Sequence, residues 1–148
     1  MRVTDVMSTD VRTVEGGELI PRARAMMADA RVHHLVVLHD GHVVGLVSAD
    51  QLELGQAEGV RRVEDVMCRH LRCAMPDTTL PEAVTLLRGQ RSGALPIVSR
   101  DRVVGIVTAS DLLDVIARGG DSAAASKRGQ AGRARGHTAP VVEWRPQR

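Results

Sequence analysis

Two short segments carry side chains whose types and spacing could do chemistry: Thr108-Ala109-Ser110-Asp111 and Ser48-Ala49-Asp50-Gln51. Each sets a hydroxyl three residues before a side chain that can accept hydrogen bonds. Such a pair can cap a helix reciprocally, and both an amide and a carboxylate can do that. The carboxylate of Asp111 can also make the stronger, charge-assisted hydrogen bonds to donors outside the helix, which the amide of Gln51 cannot. Asp50 stands one residue early, about 100° around a helix from that position. A second constellation is His33-His34. An imidazole gains its charge near pH 6.5 when unperturbed, so these residues can supply a titratable cation. They also read as two polar residues at a strand entry. Adjacent strand residues face opposite sides, so at most one of them enters any given site. A third group is Cys68, His70 and Cys73. It has metal-ligand chemistry but lacks the paired C-x-x-C spacing of a structural zinc site, so no metal site is expected. His39 and His42 flank a turn and read as solvated.

The elements that position these residues come in duplicate. Residues 3–54 return at 63–114 with a constant offset of 60 and no gap. Val3, Asp5, Val6 and Met7 match Val63, Asp65, Val66 and Met67; Pro21 and Ala23 match Pro81 and Ala83. Arg31 and Leu35 match Arg91 and Leu95. Val43, Val44, Gly45 and Val47 match Val103, Val104, Gly105 and Val107. Each copy predicts an extended piece (11–14; 71–75) and then a helix (19–31; 80–90) whose apolar residues recur at helical spacing. Two strands follow (35–39 with 42–47; 95–99 with 102–107), and a second helix starts at Ser48 or Thr108. Thr79, Pro81 and Glu82 form a strong helix-start signature. Asp40-Gly41 is a strong hairpin turn signal and Arg100-Asp101 a weaker one. The expected fold is α/β (α+β), with tandem β-α-β-β-α repeats packed about a pseudo-twofold axis. Residues 1–57 form the first repeat and 58–118 the second. Residues 119–148 lose all periodicity and read as a disordered basic tail, within which Val141, Val142 and Trp144 read as a short docking segment.

Composition narrows the classes. Residues 1–118 carry 14 arginines and 16 carboxylates, a net of −2, whereas 119–148 carry a net of +4. A case for nucleic-acid binding therefore rests on the tail alone. Trp144 is the only aromatic residue, so the core must be aliphatic and offers no stacking platform for single strands. No hydrolase elbow, phosphate loop or zinc-protease motif occurs, so no enzyme is expected. No apolar run reaches membrane-span length, no signal peptide is expected, and two cysteines fit a reduced, cytoplasmic protein. The small aliphatic core also predicts a twofold homodimer in which the face of Met26 and Met27, or of Leu86 and Leu87, is shared between protomers as well as within the chain.

Taken together, Asp65-Val66-Met67, Leu95-Pro96-Ile97-Val98 and Gly105-Ile106-Val107-Thr108-Ala109-Ser110-Asp111 resemble the cystathionine-β-synthase (CBS) domain. Asp5-Val6-Met7, His33-His34-Leu35-Val36-Val37 and Gly45-Leu46-Val47-Ser48 repeat the resemblance. The pair resembles a Bateman module over about residues 1–117. The resemblance implies a regulatory module whose ligand is AMP, ADP, ATP or S-adenosylmethionine, with no required cofactor and with an effector protein as reader. It implies adenine near Val11 and Ile106, ribose on Asp111, phosphate near Thr108 and His33 or His34, and Ser110 among the nucleotide-binding residues. It implies also that a histidine of one copy serves the cleft whose Asp comes from the other. The opposite cleft would pair Gly93 and Ala94 with Ser48 and Gln51, and would lack both the cation and the carboxylate. Two other readings remain open: a dimeric structural module without ligand, and a nucleic-acid-associated protein tethered by its tail.

Overall fold

A computed structural model describes residues 1–119, so the expectation of disorder for the tail falls outside the described residues from 120 onward. The described chain forms two compact units. One takes residues 1–11 together with the chain from Arg72; the other takes 12–71. Each unit therefore combines the Asp-Val-Met segment of one repeat with the helices and strands of the other.

In the 12–71 unit, β1 (Thr13–Glu15) precedes α1 (Ile20–Ala30), the hairpin of β2 (His34–His39) and β3 (His42–Ser48), and α2 (Ala49–Ala57). The sheet order is β1-β2-β3, with β1 parallel to β2 and β3 antiparallel to it. Pro21 in the first turn of α1 has no N–H to leave unpaired, and Arg31 ends the helix in the left-handed region at φ 56°. Ile20, Ala23 and Met27 of α1 bury one face against Leu35, Val37, Val47 and Leu52. Val63 completes this core from the segment that opens the second repeat.

The other unit holds α3 (Leu80–Arg88), the hairpin of β4 (Ala94–Ser99) and β5 (Arg102–Thr108), and α4 (Ala109–Ala117). Its core joins Ala83, Leu87, Leu95, Ile97, Val107 and Val115 to Val3 and Val6 from the chain's first residues. Both hairpins are buried on their second face too, through Val36 and Leu46 and through Pro96 and Ile106. Side chains on both faces are apolar, as expected for strands with no solvated side. Both hairpin turns hold two left-handed residues, Asp40 and Gly41 in one and Arg100 and Asp101 in the other. Arg100-Asp101 thus makes the same turn without glycine.

The Asp-Val-Met segments begin in short 3₁₀ turns at Val3–Asp5 and Val63–Asp65. Each then crosses a hairpin strand at its glycine. The Ser8 N–H and C=O pair with Ile106 at 2.9 Å each, and those of Cys68 pair with Leu46 at 2.8 and 3.0 Å. A Cβ on Gly105 would sit 2.5 Å from Met7 Sδ and 3.1 Å from the Ser8 carbonyl oxygen. A Cβ on Gly45 would sit 2.6 Å from Met67 Sδ and 2.8 Å from the Cys68 carbonyl oxygen. The repeated glycine is therefore the crossing point of the repeated methionine segment.

One predicted element is missing. Residues 71–75 do not form a strand; only Ala74 bridges, to Ile97. The reason is Pro96. In the first repeat the Val36 N–H donates to the Arg12 carbonyl at 2.9 Å, but proline at the matching position has no N–H. The Arg72 carbonyl instead accepts from Gln90 Nε2 at 3.1 Å, and the Arg72 N–H donates to Gln90 Oε1 at 3.1 Å. Gln90 Nε2 also donates to the Ala94 carbonyl at 3.2 Å. The buried amide of Gln90 does the work of a strand ladder. Gln90→Ala should lower stability by about 2–3 kcal/mol in urea unfolding, because it strands these backbone groups. The loss should shrink in a Pro96→Val background, where a new N–H can reach Arg72. A cost below about 0.5 kcal/mol would show that Gln90 is dispensable.

Within each unit the methionine and leucine faces line the core. Met27 and Leu87 are buried in their cores, and Met26 and Leu86 pack against them. The exposed large apolar residues of α4 are Leu113 and Ile116.

Candidate functional site

Strand β5 runs directly into α4, and Thr108 at the junction has extended backbone, φ −109° and ψ 164°. That geometry frees its hydroxyl to cap the helix. Thr108 Oγ1 accepts from the Asp111 N–H at 3.2 Å, and the Thr108 N–H donates to Asp111 Oδ2 at 2.9 Å. The carboxylate is therefore held at the positive end of a nine-residue helix. A carboxylate can accept several hydrogen bonds at once, so capping and ligand binding are compatible uses of Asp111. Ser110 is exposed in the same first turn. Ile106 and Val11 are buried in the same unit, outside its main core cluster.

The junction of β3 and α2 repeats this geometry with a neutral side chain. Ser48 Oγ accepts from the Gln51 N–H at 3.2 Å, and the Ser48 N–H donates to Gln51 Oε1 at 2.8 Å. Asp50 is exposed and takes no part in the cap. The helix start at Thr79 shows that such a box alone does not define a site. There Glu82 Oε2 accepts from both the backbone N–H and the hydroxyl of Thr79, and these bonds, the backbone one first, hold the Glu82 carboxyl below its usual range. Asp111 thus offers a carboxylate where Gln51 offers a neutral amide, in caps with the same hydrogen-bond pattern.

Of the residues singled out from sequence, Val11, Ile106, Thr108, Ser110 and Asp111 share one unit, and His33 and His34 lie in the other. Within its own unit, His34 pairs in register with Ser48, and the His33 carbonyl accepts from the Ala49 N–H at 2.9 Å. The Thr108 cap has Ala94 and Gly93 in those places, with the Gly93 carbonyl accepting from the Ala109 N–H at 3.1 Å. Gly93 has φ +68°, a conformation that favours glycine. That backbone role was missed by sequence reasoning, which treated Gly93 only as a lost cation. Burial pushes the Cys73 thiol up, away from thiolate chemistry. Cys68 Sγ lies 3.7 Å from the His70 carbonyl oxygen. Among the described residues, no group of three His, Cys, Asp or Glu side chains is arranged to hold a metal ion. No helix among them is long and apolar enough to cross a membrane.

A duplicated hairpin followed by a capped helix is the architecture of a CBS-domain pair. The chain belongs to the CBS-domain family, whose profile matches residues 3–52 and 63–118. The chain is 30% identical over 114 residues to the CBS domain-containing protein YhcV of Bacillus subtilis, covering 74% of this chain and 81% of that one. It is also 30% identical over 116 residues to a homoserine O-acetyltransferase of Methanohalobium evestigatum, covering 77% of this chain. It spans only about a quarter of the length of that enzyme (24%) and of two related ones (23% and 25%). Among solved structures, the fold matches the CBS domain pair of protein MJ0100 in complex with 5′-methylthioadenosine and S-adenosyl-L-methionine. That match has a TM-score of 0.74 at 22% identity, over 80% of this chain and 98% of that one. CBSX2 in complex with AMP matches with a TM-score of 0.63 at 23% identity, over 79% and 96% of the two chains.

Proposed function

We propose that this chain is a non-catalytic regulatory module of the cytoplasm that binds an adenosyl nucleotide and conveys its presence, as a homodimer, to a partner protein. The observation that carries the reading is the charged acceptor Asp111, held by Thr108 at a helix start where the sister repeat has neutral Gln51. In this proposal Asp111 accepts the ribose hydroxyls, Thr108 approaches phosphate, and Ser110 lines the nucleotide site. Val11 and Ile106 lie beside the adenine, and His33 or His34 adds positive charge for a phosphate-bearing ligand. The adenosyl ligands named for two proteins of the same fold support the ligand class. A ligand that binds only the folded state stabilises it by mass action, about 2.7 kcal/mol at a hundredfold excess over Kd. Thermal unfolding of the full chain with AMP, ADP, ATP and S-adenosylmethionine should therefore raise Tm by several degrees for at least one of them. A folded chain whose Tm none of the four moves at millimolar concentration would reject the proposal.

A further inference from the structure

The first eleven residues, the leader of the first repeat, lie in the unit that holds Asp111. Val3 and Val6 anchor the leader in that unit's core. Two residues on, it crosses β5 at Gly105. The Ser8 N–H donates to the Ile106 carbonyl, and the Ser8 carbonyl accepts from the Ile106 N–H, at 2.9 Å each. Gly105 has no Cβ, so Met7 and the Ser8 carbonyl can lie over it. Val11, buried at 3% exposure, ends the leader. The next residue, Arg12, belongs to the other unit, where its carbonyl accepts from the Val36 N–H. Both apolar residues singled out for adenine are thus tied to the crossing. Ile106 is its hydrogen-bond partner, and Val11 follows Ser8 by three residues.

We infer that the Ser8 crossing sets the affinity of the Asp111 site and couples its occupancy to the docking of the leader, with Gly105 as a positioning residue. The inference rests on the proposed placement of Val11 and Ile106 beside adenine. A ligand packed on both residues makes its full contact only while the leader is docked on β5. Its affinity then falls in proportion to the docked fraction. By linkage, the ligand tightens the docking by the same factor. The sister crossing supplies the contrast. Cys68 and Leu46 pair in the same way over Gly45, but the helix that follows β3 offers Gln51 in place of a carboxylate. Occupancy should therefore be felt at one crossing and not at the other.

Alanine at each crossing glycine tests this in the full chain. A new Cβ would meet Met7 Sδ at 2.5 Å in Gly105→Ala and Met67 Sδ at 2.6 Å in Gly45→Ala, so the two variants carry comparable local strain. The probe is AMP, ADP, ATP or S-adenosylmethionine, whichever raises the wild-type Tm most. Gly105→Ala should weaken its calorimetric affinity at least about tenfold, as when about a tenth of the chains keep the leader docked. Gly45→Ala should stay within about twofold of the wild type. Hydrogen exchange of the wild type needs no variant. Saturating probe should slow the Ser8 and Ile106 amides at least about tenfold more than the Cys68 and Leu46 amides. Equal slowing at the two crossings would overturn the inference, and this measurement decides alone if Gly105→Ala does not fold. A folded Gly105→Ala chain that binds like the wild type would overturn it too, as would equal weakening by both variants. A wild type that binds none of the four probes rejects the proposed function and this inference with it, whereas binding without a response of the leader rejects the inference alone.

Discussion

Removing residues 1–10 should unfold the unit that contains α3, β4, β5 and α4, although those residues belong by sequence to the other repeat. Val3 and Val6 are fully buried there, at 0% and 1% exposure, alongside Leu95, Ile97 and Val107. Each is worth about 1.5–3 kcal/mol of burial. The deletion also removes the Val3 N–H bond to the Thr78 carbonyl, the Leu80 N–H bond to the Met1 carbonyl, and both Ser8 bonds to Ile106. The valines alone account for about 3–6 kcal/mol, against a total of about 5–15 kcal/mol for a whole domain. The 12–71 unit keeps every residue of its core, including Val63. Hydrogen exchange resolved by residue on the 11–148 chain should therefore show protection lost first from Leu80 to Ala117. Protection should be retained longer from Ile20 to Ala57. Equal loss in both units, or intact protection in α3 and α4, would contradict the crossed assignment of the leaders. The same crossing predicts that a 1–57 fragment is not a folding unit, because it lacks Val63, Val66 and Met67.

The hairpins and helices were legible because their signals are local. Valine-rich apolar runs mark β3 and β5, Pro21 and Pro81 mark helix starts, and Ser48 and Thr108 mark the caps. The crossing of the leaders was not legible. A repeat shows that Val3 and Val63 play equal roles, but it does not say which hairpin each one packs against. Gly45 and Gly105, whose missing Cβ atoms admit a crossing chain, stand in both hairpins alike, so tertiary burial makes that choice. The absent strand at 71–75 was legible in retrospect from Pro96, since an N–H that proline lacks is needed for the ladder. Gln90 was not, because a glutamine near a helix end reads as solvated until its three bonds to backbone are seen. At the candidate site, the contrast between Asp111 and Gln51 was visible in the sequence. The reciprocal caps show that both helix starts share one hydrogen-bond pattern, with a carboxylate in one and an amide in the other.

That equivalence defines the substitution that separates capping from ligand binding. Asp111→Asn keeps a carbonyl oxygen for the Thr108 N–H, as Gln51 does for Ser48 at 2.8 Å. Its cost to stability should stay within about 1 kcal/mol, the worth of a carboxylate near a helix N-terminus. A charged partner to hydrogen bonds from a ligand is worth about 1.5–3 kcal/mol, however, so affinity for an adenosyl ligand should fall about ten- to a hundredfold. Asp111→Ala should lose the same affinity and also the reciprocal cap, about 0.5–2 kcal/mol of stability. Gln51→Ala should lose the cap alone and leave affinity unchanged. Calorimetric titration with whichever nucleotide raises Tm most, paired with thermal unfolding of the three variants, reads both quantities. If Asp111→Asn binds like the wild type, the carboxylate is a helix cap and nothing more, and the ribose role proposed for it fails even where the nucleotide itself still binds.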